Sequence, residues 1–463
     1  MTTANDDFVL PPPPTAPRLR IAFVHPDLGI GGAERLVVDT ATGLQKCGHK
    51  VTVYTSHHDP SHCFSETKDG TLKVLVRGDF LPRNIAGKAL ILCAILRSIY
   101  LALTLMIFDS NKYDVLFVDQ LSISIPILRF AGSKILFYCH FPDKLLAKRE
   151  SWIKSLYRIP FDVLEEVTTR MADAIVVNSS FTRQVFKESF SSIKTTPKIL
   201  YPAIRTEAYN NDFNAKDFRK HLKNKTILVS INRFERKKNI ALAIQAFSTL
   251  KETSGSKFDS LVLIVAGGYD KRVPENVEHL DELNALASYI GLQTATVKTL
   301  EDEAVSRAKV VFLPSFDETH RAFLLAESLC LIYTPTNEHF GIVPVEAMYA
   351  RLPVVAASSG GPLESIVDGV TGYLRDPDPQ AFGDAIALLL RNPALKKEIG
   401  DAGRERVEQK FTLEAYVKQL EGILEGMFFD FNWDAIFVHV LVIFVLFFGL
   451  MGLSFGLSWV LGL

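Results

Sequence analysis

Disulfide chemistry is the first thing this sequence lacks. Its 463 residues hold five cysteines, Cys47, Cys63, Cys93, Cys139 and Cys330, odd in number, scattered, and never in a C-x-x-C pair. That excludes a disulfide framework and reads as buried thiols in a reducing compartment. An excess of one charge is missing too. Lys and Arg number 51 against 52 for Asp and Glu, so no basic footprint for nucleic acid is present. A membrane needs only a local patch, which this balance permits. No secretory leader is expected from the N-terminal residues either. "MTTANDDFVLPPPPTAPR" is acidic and proline-rich where a leader is basic and then apolar. It reads as a disordered arm over residues 1–17. Finally, residues 435–463 contain no Asp, Glu, Lys or Arg. A span takes about 20 apolar residues, so a transmembrane tail is expected there rather than a buried core helix. Everything before the tail is expected to face the cytosol, leaving the sequons at Asn178 and Asn224 bare.

A second apolar run, 89–108, is preceded by Lys88 and interrupted by Arg97. Their spacing puts these cations on opposite helical faces. The run fits either a helix lying in the membrane surface with snorkelling cations or a core helix. A full span is excluded, because Arg97 would sit near its middle.

What is present is alternation. Strand-like runs at 18–25, 50–56, 72–76, 114–119, 134–140, 174–178 and 198–201 are mostly separated by helical stretches. After Pro202 the pattern restarts with "TILVSINRF", "LVLIVAGG", "VVFLPSF", "CLIYTPT" and "LPVVAAS". Nearly all-apolar strands alternating with helices mean parallel sheets covered on both faces. Two such runs predict two doubly wound α/β domains, with ligands beyond the carboxyl ends of their strands and a cleft where the domains face each other.

Three strand-end segments carry chemistry. "DLGIGGAER" places Gly29, Gly31 and Gly32 before a helix starting near Ala33, so backbone N–H groups can approach phosphate. It is not the dinucleotide fingerprint, since the spacing differs and the second strand lacks a ribose-binding acid at its tip. A tight turn explains the segment as well as phosphate contact does. "NRFERKKN" gathers Arg233, Arg236, Lys237 and Lys238 after a strand, a cation set that suits a diphosphate. For Arg236 and Lys237 a solvated loop is the better reading. "NEHFGIVPVEAM" places Pro344 at an expected first helical position, with Gly341 to Val343 offering N–H groups at the helix's positive end. Glu338 lies before that turn and Glu346 two residues into the expected helix, so the two carboxylates bracket an anion site. Helix capping is the plainer alternative for Glu346.

These residues resemble the retaining GT-B glycosyltransferases that use nucleotide sugars. The resemblance rests on Glu338 and Glu346 as E-x7-E, on GG-P-E at 360–364, on "DGVTGYL" at 368–374, and on Arg233 with Lys238 after a strand; it extends to about residue 428. Within that group, "YCHFPDKLL" (138–146), "TSHHDPSHCF" (55–64) and the apolar tail are similar to the mannosyltransferases of dolichol-linked oligosaccharide assembly that form α-1,3 and α-1,6 bonds. The resemblance implies two Rossmann-like domains, 18–204 for the acceptor and 205–428 for the donor. It implies GDP-mannose as substrate, no cofactor and no metal. The acceptor would be a dolichyl-diphosphate chitobiose carrying one mannose, to which the second and third are added. Membrane lipid and the pathway's other mannosyltransferases are the implied partners, and the cytosolic face of the endoplasmic reticulum the implied location.

Carried over residue by residue, Arg233 and Lys238 bind the donor diphosphate and neutralise the leaving group. Gly31 and Gly32 let the first loop meet the phosphates, and Phe340, Gly341, Ile342 and Val343 complete the cradle. Glu346 accepts from the ribose hydroxyls. Glu338 contacts the transferring sugar, and His140 faces it. Phe312 and Leu313, with Pro314 and Ser315, wall the nucleobase. The related N-acetylglucosaminyl-phosphatidylinositol transferase subunit would not be expected to carry "YCHFPDKLL". A non-catalytic membrane scaffold would not be expected to retain both glutamates, Arg233 and Lys238.

Two metal-like signals are set aside. Asp376-x-Asp378 precedes a helix, where turn and N-cap chemistry account for it. His57, His58, His62 and Cys63 fall in a loop after a strand, where acceptor recognition suits them better than a metal. His25 ends the first strand and reads equally as core or cleft.

Overall fold

The computed structural model describes residues 18–85, 90–109, 112–146, 152–206, 216–429, 436 and 438–440. The proline-rich arm and nearly all of the expected transmembrane tail lie outside these. The chain forms two compact units. One comprises Met1–Cys139, Ala147–Ile175 and Glu421–Leu463; the other His140–Leu146 and Val176–Leu420.

The first sheet has seven strands: β1 (Arg20–His25), β2 (Lys50–Thr55), β3 (Lys73–Val76), β4 (Val115–Asp119), β5 (Lys134–Cys139), β6 (Ala174–Val177) and β7 (Lys198–Ile199). Their order is β3-β2-β1-β4-β5-β6-β7. The direction of winding reverses between β1 and β4, both of which pair in parallel register with their neighbours. The second sheet is built from β8 (Thr226–Ile231), β9 (Leu261–Gly267), β10 (Thr294–Thr296), β11 (Val310–Pro314), β12 (Leu331–Tyr333), β13 (Val354–Ala357) and β14 (Tyr373–Arg375). Its order, β10-β11-β9-β8-β12-β13-β14, reverses between β8 and β12.

Strand periodicity explains why the central strands of the second sheet are largely apolar on both faces. Ile227, Val229 and Ile231 of β8 join one buried cluster, with Val262 and Ile264 of β9 and Val311 and Leu313 of β11. Leu228, Leu263, Val265, Val310 and Phe312 join another. Alternate side chains point to opposite faces, so a sheet covered by helices on both sides is apolar at nearly every position of its central strands. Each such side chain is worth roughly 1.5–3 kcal/mol when fully buried. All five cysteines are free, and burial pushes the Cys330 thiol up to about 12.

The apolar run at 89–108 forms the helix Leu90–Asp109. It turns Cys93, Arg97, Leu101 and Leu105 into the first unit and leaves Leu92, Leu96, Leu103 and Ile107 exposed. One side is therefore core, and the neighbouring side is apolar surface. Among the described residues it is the one helix long and apolar enough to cross a membrane.

Candidate active site

Ligands of doubly wound sheets bind outside the strand ends where the winding reverses. In the second unit that point lies between β8 and β12. β8 leads into Asn232, Arg233 and the short turn Arg236–Lys238; β12 leads into the segment from Thr334 to Gly341. The structure joins the two segments directly. Lys238 Nζ lies 2.6 Å from Glu338 Oε2, with side chains 13% and 21% exposed, and the Thr334 hydroxyl donates to the Lys238 carbonyl at 2.9 Å. An ammonium has three N–H donors, so the pairing leaves two for an incoming anion.

Glu338 is held from below by Tyr333, the last residue of β12. Burial and the adjacent carboxylate push the Tyr333 hydroxyl well above its ordinary range, so it stays protonated and donates to Glu338. Sequence reasoning missed Tyr333. It also missed the reason for Gly341, whose φ of 83° and 3.1 Å Cβ approach to Tyr333 Oη leave little room for a side chain. Gly341 begins the helix Ile342–Tyr349, two residues earlier than Pro344 suggested. Proline is tolerated within the first turn because helices leave those N–H groups unpaired anyway. The N–H groups of Ile342 and Val343 belong to that same turn, at the positive end of the helix.

Glu346 is five residues into this helix and makes no capping bond; Arg321 Nη1 reaches its Oε2 at 2.8 Å. Arg321, on the helix Glu318–Glu327, was not singled out by sequence. Arg233 remains 62% exposed and touches Glu235 at 3.2 Å. Its backbone passes over "GG" at the end of β9, where a Cβ on Gly267 would lie 1.6 Å from the Asn232 carbonyl. Arg236 is engaged elsewhere, with Glu278 and Glu282 on the helix Pro274–Tyr289. Lys237 pairs with Glu235.

The GG-P-E segment braces the same loop. A Cβ on Gly360 would meet the Glu338 carbonyl at 2.4 Å, and one on Gly361 the Phe340 carbonyl at 2.0 Å, while Gly361 N–H donates to Glu338 O at 2.8 Å. Glu364 accepts from the N–H groups of Ser180 and Phe181 at 2.7 and 2.9 Å, where the helix Ser180–Ser189 begins. Burial, with Glu364 beside it, pushes the Tyr201 hydroxyl up to about 12.

His140 directly follows β5 and belongs with the second unit, and its carbonyl accepts from Asn178. The next residue, Phe141, stacks on His339 with ring centroids 3.8 Å apart and planes within 7°. His339 is thus brought to this segment, although sequence analysis assigned it no role. Burial holds its pKa below the ordinary 6.5, with Lys238, Lys237 and His140 adding to the effect and Glu338 opposing it.

Other expected residues fall differently. Phe312 and Leu313 are fully buried on opposite faces of the sheet, so at this strand end Ser315 is nearer the surface; its hydroxyl donates to the Tyr269 carbonyl at 2.7 Å. Gly31 caps the helix Gly32–Lys46 of the first unit with the Glu34 side chain folded over it, and Gly32 has open space where a Cβ would be. Asp378 caps the helix Pro379–Arg391 through Ala381 N–H. His57 bonds Asp79 at 2.6 Å and His58 bonds Thr67 at 2.9 Å. Among the described residues, no three His, Cys, Asp or Glu side chains gather to hold a metal.

Two doubly wound sheets, with a Lys–Glu pair at the reversal point of the second, define a GT-B glycosyltransferase. Solved structures with this fold include a glycosyltransferase from Rickettsia africae (TM-score 0.66, 16% identity, 89% of this chain and 99% of that one). Anabaena HepE in complex with UDP and glucose is another (TM-score 0.63, 19% identity, 88% and 100%). Family models match as well: "Glycosyl transferases group 1" over residues 212–406 and "Glycosyltransferase Family 4" over 30–208. The chain is 51% identical over 419 residues to the α-1,3/1,6-mannosyltransferase ALG2 of Rhizomucor pusillus, covering 89% of this chain and 92% of that protein. It is 46% identical over 413 residues to the human protein of that name, covering 88% and 95%. The chain belongs to the α-1,3/1,6-mannosyltransferase family of GT-B glycosyltransferases.

Proposed function

We propose that this enzyme transfers mannose from GDP-mannose, with retention, to a dolichyl-diphosphate chitobiose carrying one mannose. It forms one α-1,3 and one α-1,6 bond and gives the three-mannose product. The catalytic part works on the cytosolic face of the endoplasmic reticulum membrane. The observation that carries the reading is the Lys238–Glu338 pair at the switch point of the second sheet.

As the bond between the mannosyl C1 and the diphosphate oxygen breaks, negative charge grows on GDP and positive character on the sugar. Lys238 and Arg233 meet the first, and Glu338 meets the second. Groups fixed before the reaction stabilise charge as it develops, without reorganising. The acceptor hydroxyl bonds to C1 from the face that the diphosphate leaves, and its proton passes to the departing phosphate oxygen. Glu346, oriented by Arg321, binds the ribose hydroxyls. His140, next to the Phe141–His339 stack, faces the sugar. Gly31 and Gly32 are assigned to the donor phosphates on their family pattern.

The test incubates purified full-length protein in lipid with labelled GDP-mannose and a phytanyl-diphosphate trisaccharide, with and without chelator, and with UDP-N-acetylglucosamine as rival donor. Two successive mannose additions, unaffected by chelator, are expected. Transfer from the rival donor alone, or no transfer by a preparation that binds GDP, would overturn the reading.

A further inference from the structure

The first unit contains a buried cation that the proposed chemistry does not use. Arg97 lies on the core side of the helix Leu90–Asp109, and its side chain is 8% exposed. Its Nε and Nη2 are buried without a hydrogen-bond partner. The nearest carboxylate is Asp79 at 4.0 Å, which is half exposed and already accepts from His57 at 2.6 Å. Asp79 sits in the loop after β3, and the loop after β2 reaches the same helix, where Ser56 bonds the Arg97 carbonyl. The guanidinium is therefore on the carboxyl-end side of the sheet, where ligands bind.

A buried charge with no close, hydrogen-bonded counterion is costly, so an arginine held this way calls for an anion. Its fork of N–H donors fits phosphate oxygens. The surroundings narrow the choice to a phosphate carried on a lipid. On the face beside Arg97 the same helix exposes Leu92, Leu96, Leu103 and Ile107, spaced to form one stripe. Phe80, one residue from Asp79, is 73% exposed and packs edge-on against Tyr100 of that helix. A cation next to an outward apolar stripe matches a headgroup next to its hydrocarbon.

We propose that Arg97 holds the diphosphate of the prenyl-linked acceptor, with the hydrocarbon running along the exposed stripe. This rests on the lipid-linked acceptor of the proposed function. Asp79 then competes with the ligand for Arg97, which sets the sign of the test.

The experiment measures binding of labelled phytanyl diphosphate to the full chain in phosphatidylcholine nanodiscs, with phytanol and phosphatidylinositol as competitors. GDP-mannose binding is read in the same samples. Arg97→Gln is expected to weaken phytanyl diphosphate at least tenfold and leave GDP-mannose binding unchanged. Arg97→Lys should weaken it less, and Asp79→Asn should tighten it. If Arg97→Gln fails to fold, the Lys and Asn variants decide. A purely structural Arg97–Asp79 pair predicts that Asp79→Asn lowers stability and tightens nothing, and that result would overturn the proposal. So would wild-type affinity in Arg97→Gln, or equal competition by phytanol. Equal competition by phosphatidylinositol would assign the site to bulk anionic headgroups and overturn the acceptor assignment. Lost GDP-mannose binding in wild type, with the diphosphate lipid still held, would count against the donor chemistry and leave the Arg97 site standing.

Discussion

Lys238 and Glu338 satisfy each other's charge at the proposed donor site, so the proposed mechanism has them act as one unit. Lys238→Ala and Glu338→Ala are each expected to lower kcat by about 10²–10³-fold with little change in melting temperature. The double variant should be hardly slower than the worse single one, since groups acting together are not additive. Steady-state kinetics checks this, and wild-type rates in either variant would remove that residue from the mechanism. His339 gives a separate, pH-based expectation. Burial depresses its pKa below the ordinary 6.5, so the unfolded chain binds the proton first. Stability from the neutral ring is complete above that value and is lost as pH falls through it toward the depressed one. Melting curves across that window should show a smaller acid loss for His339→Phe, which keeps the stack on Phe141 and cannot titrate. An equal loss would place the acid sensitivity elsewhere.

At the level of elements, the loop after β12 is held by backbone approaches that only glycine allows. Gly361→Ala places a Cβ 2.0 Å from the Phe340 carbonyl, and Gly360→Ala also forces a φ of 64° on alanine. Each should cost at least 1–3 kcal/mol of stability, roughly, and displace Glu338. Denaturant titration reads the loss, and unchanged midpoints would show that the loop is not built this way. The long apolar strands were legible in the sequence because a sheet buried on both faces leaves few polar positions. β10 and β14 were not, being three-residue strands at the sheet edges, too short for a periodic signal. Glu338, Glu346, Arg233 and Lys238 could be singled out from their positions at strand and helix ends. Tyr333 and Arg321 could not, because their roles come from distant segments meeting in space. The "GG" of β9 was visible, but the Asn232 carbonyl that requires it was not.

For the whole molecule, we propose two sources of membrane attachment, the apolar residues 435–463 and the exposed stripe of the helix Leu90–Asp109. Deleting 435–463 alone should leave measurable sedimentation with vesicles, and adding Leu96→Asp and Ile107→Asp should abolish it while GDP-mannose binding persists. Full release by the deletion alone would make the stripe a minor contributor. The central claim concerns where the donor's diphosphate rests. A structure of the full chain with GDP bound tests it most directly. The expected result is a terminal phosphate oxygen about 3 Å from Lys238 Nζ, with Arg233 turned toward it. A diphosphate bound away from β8 and β12, with Lys238 and Glu338 undisturbed, would contradict the account.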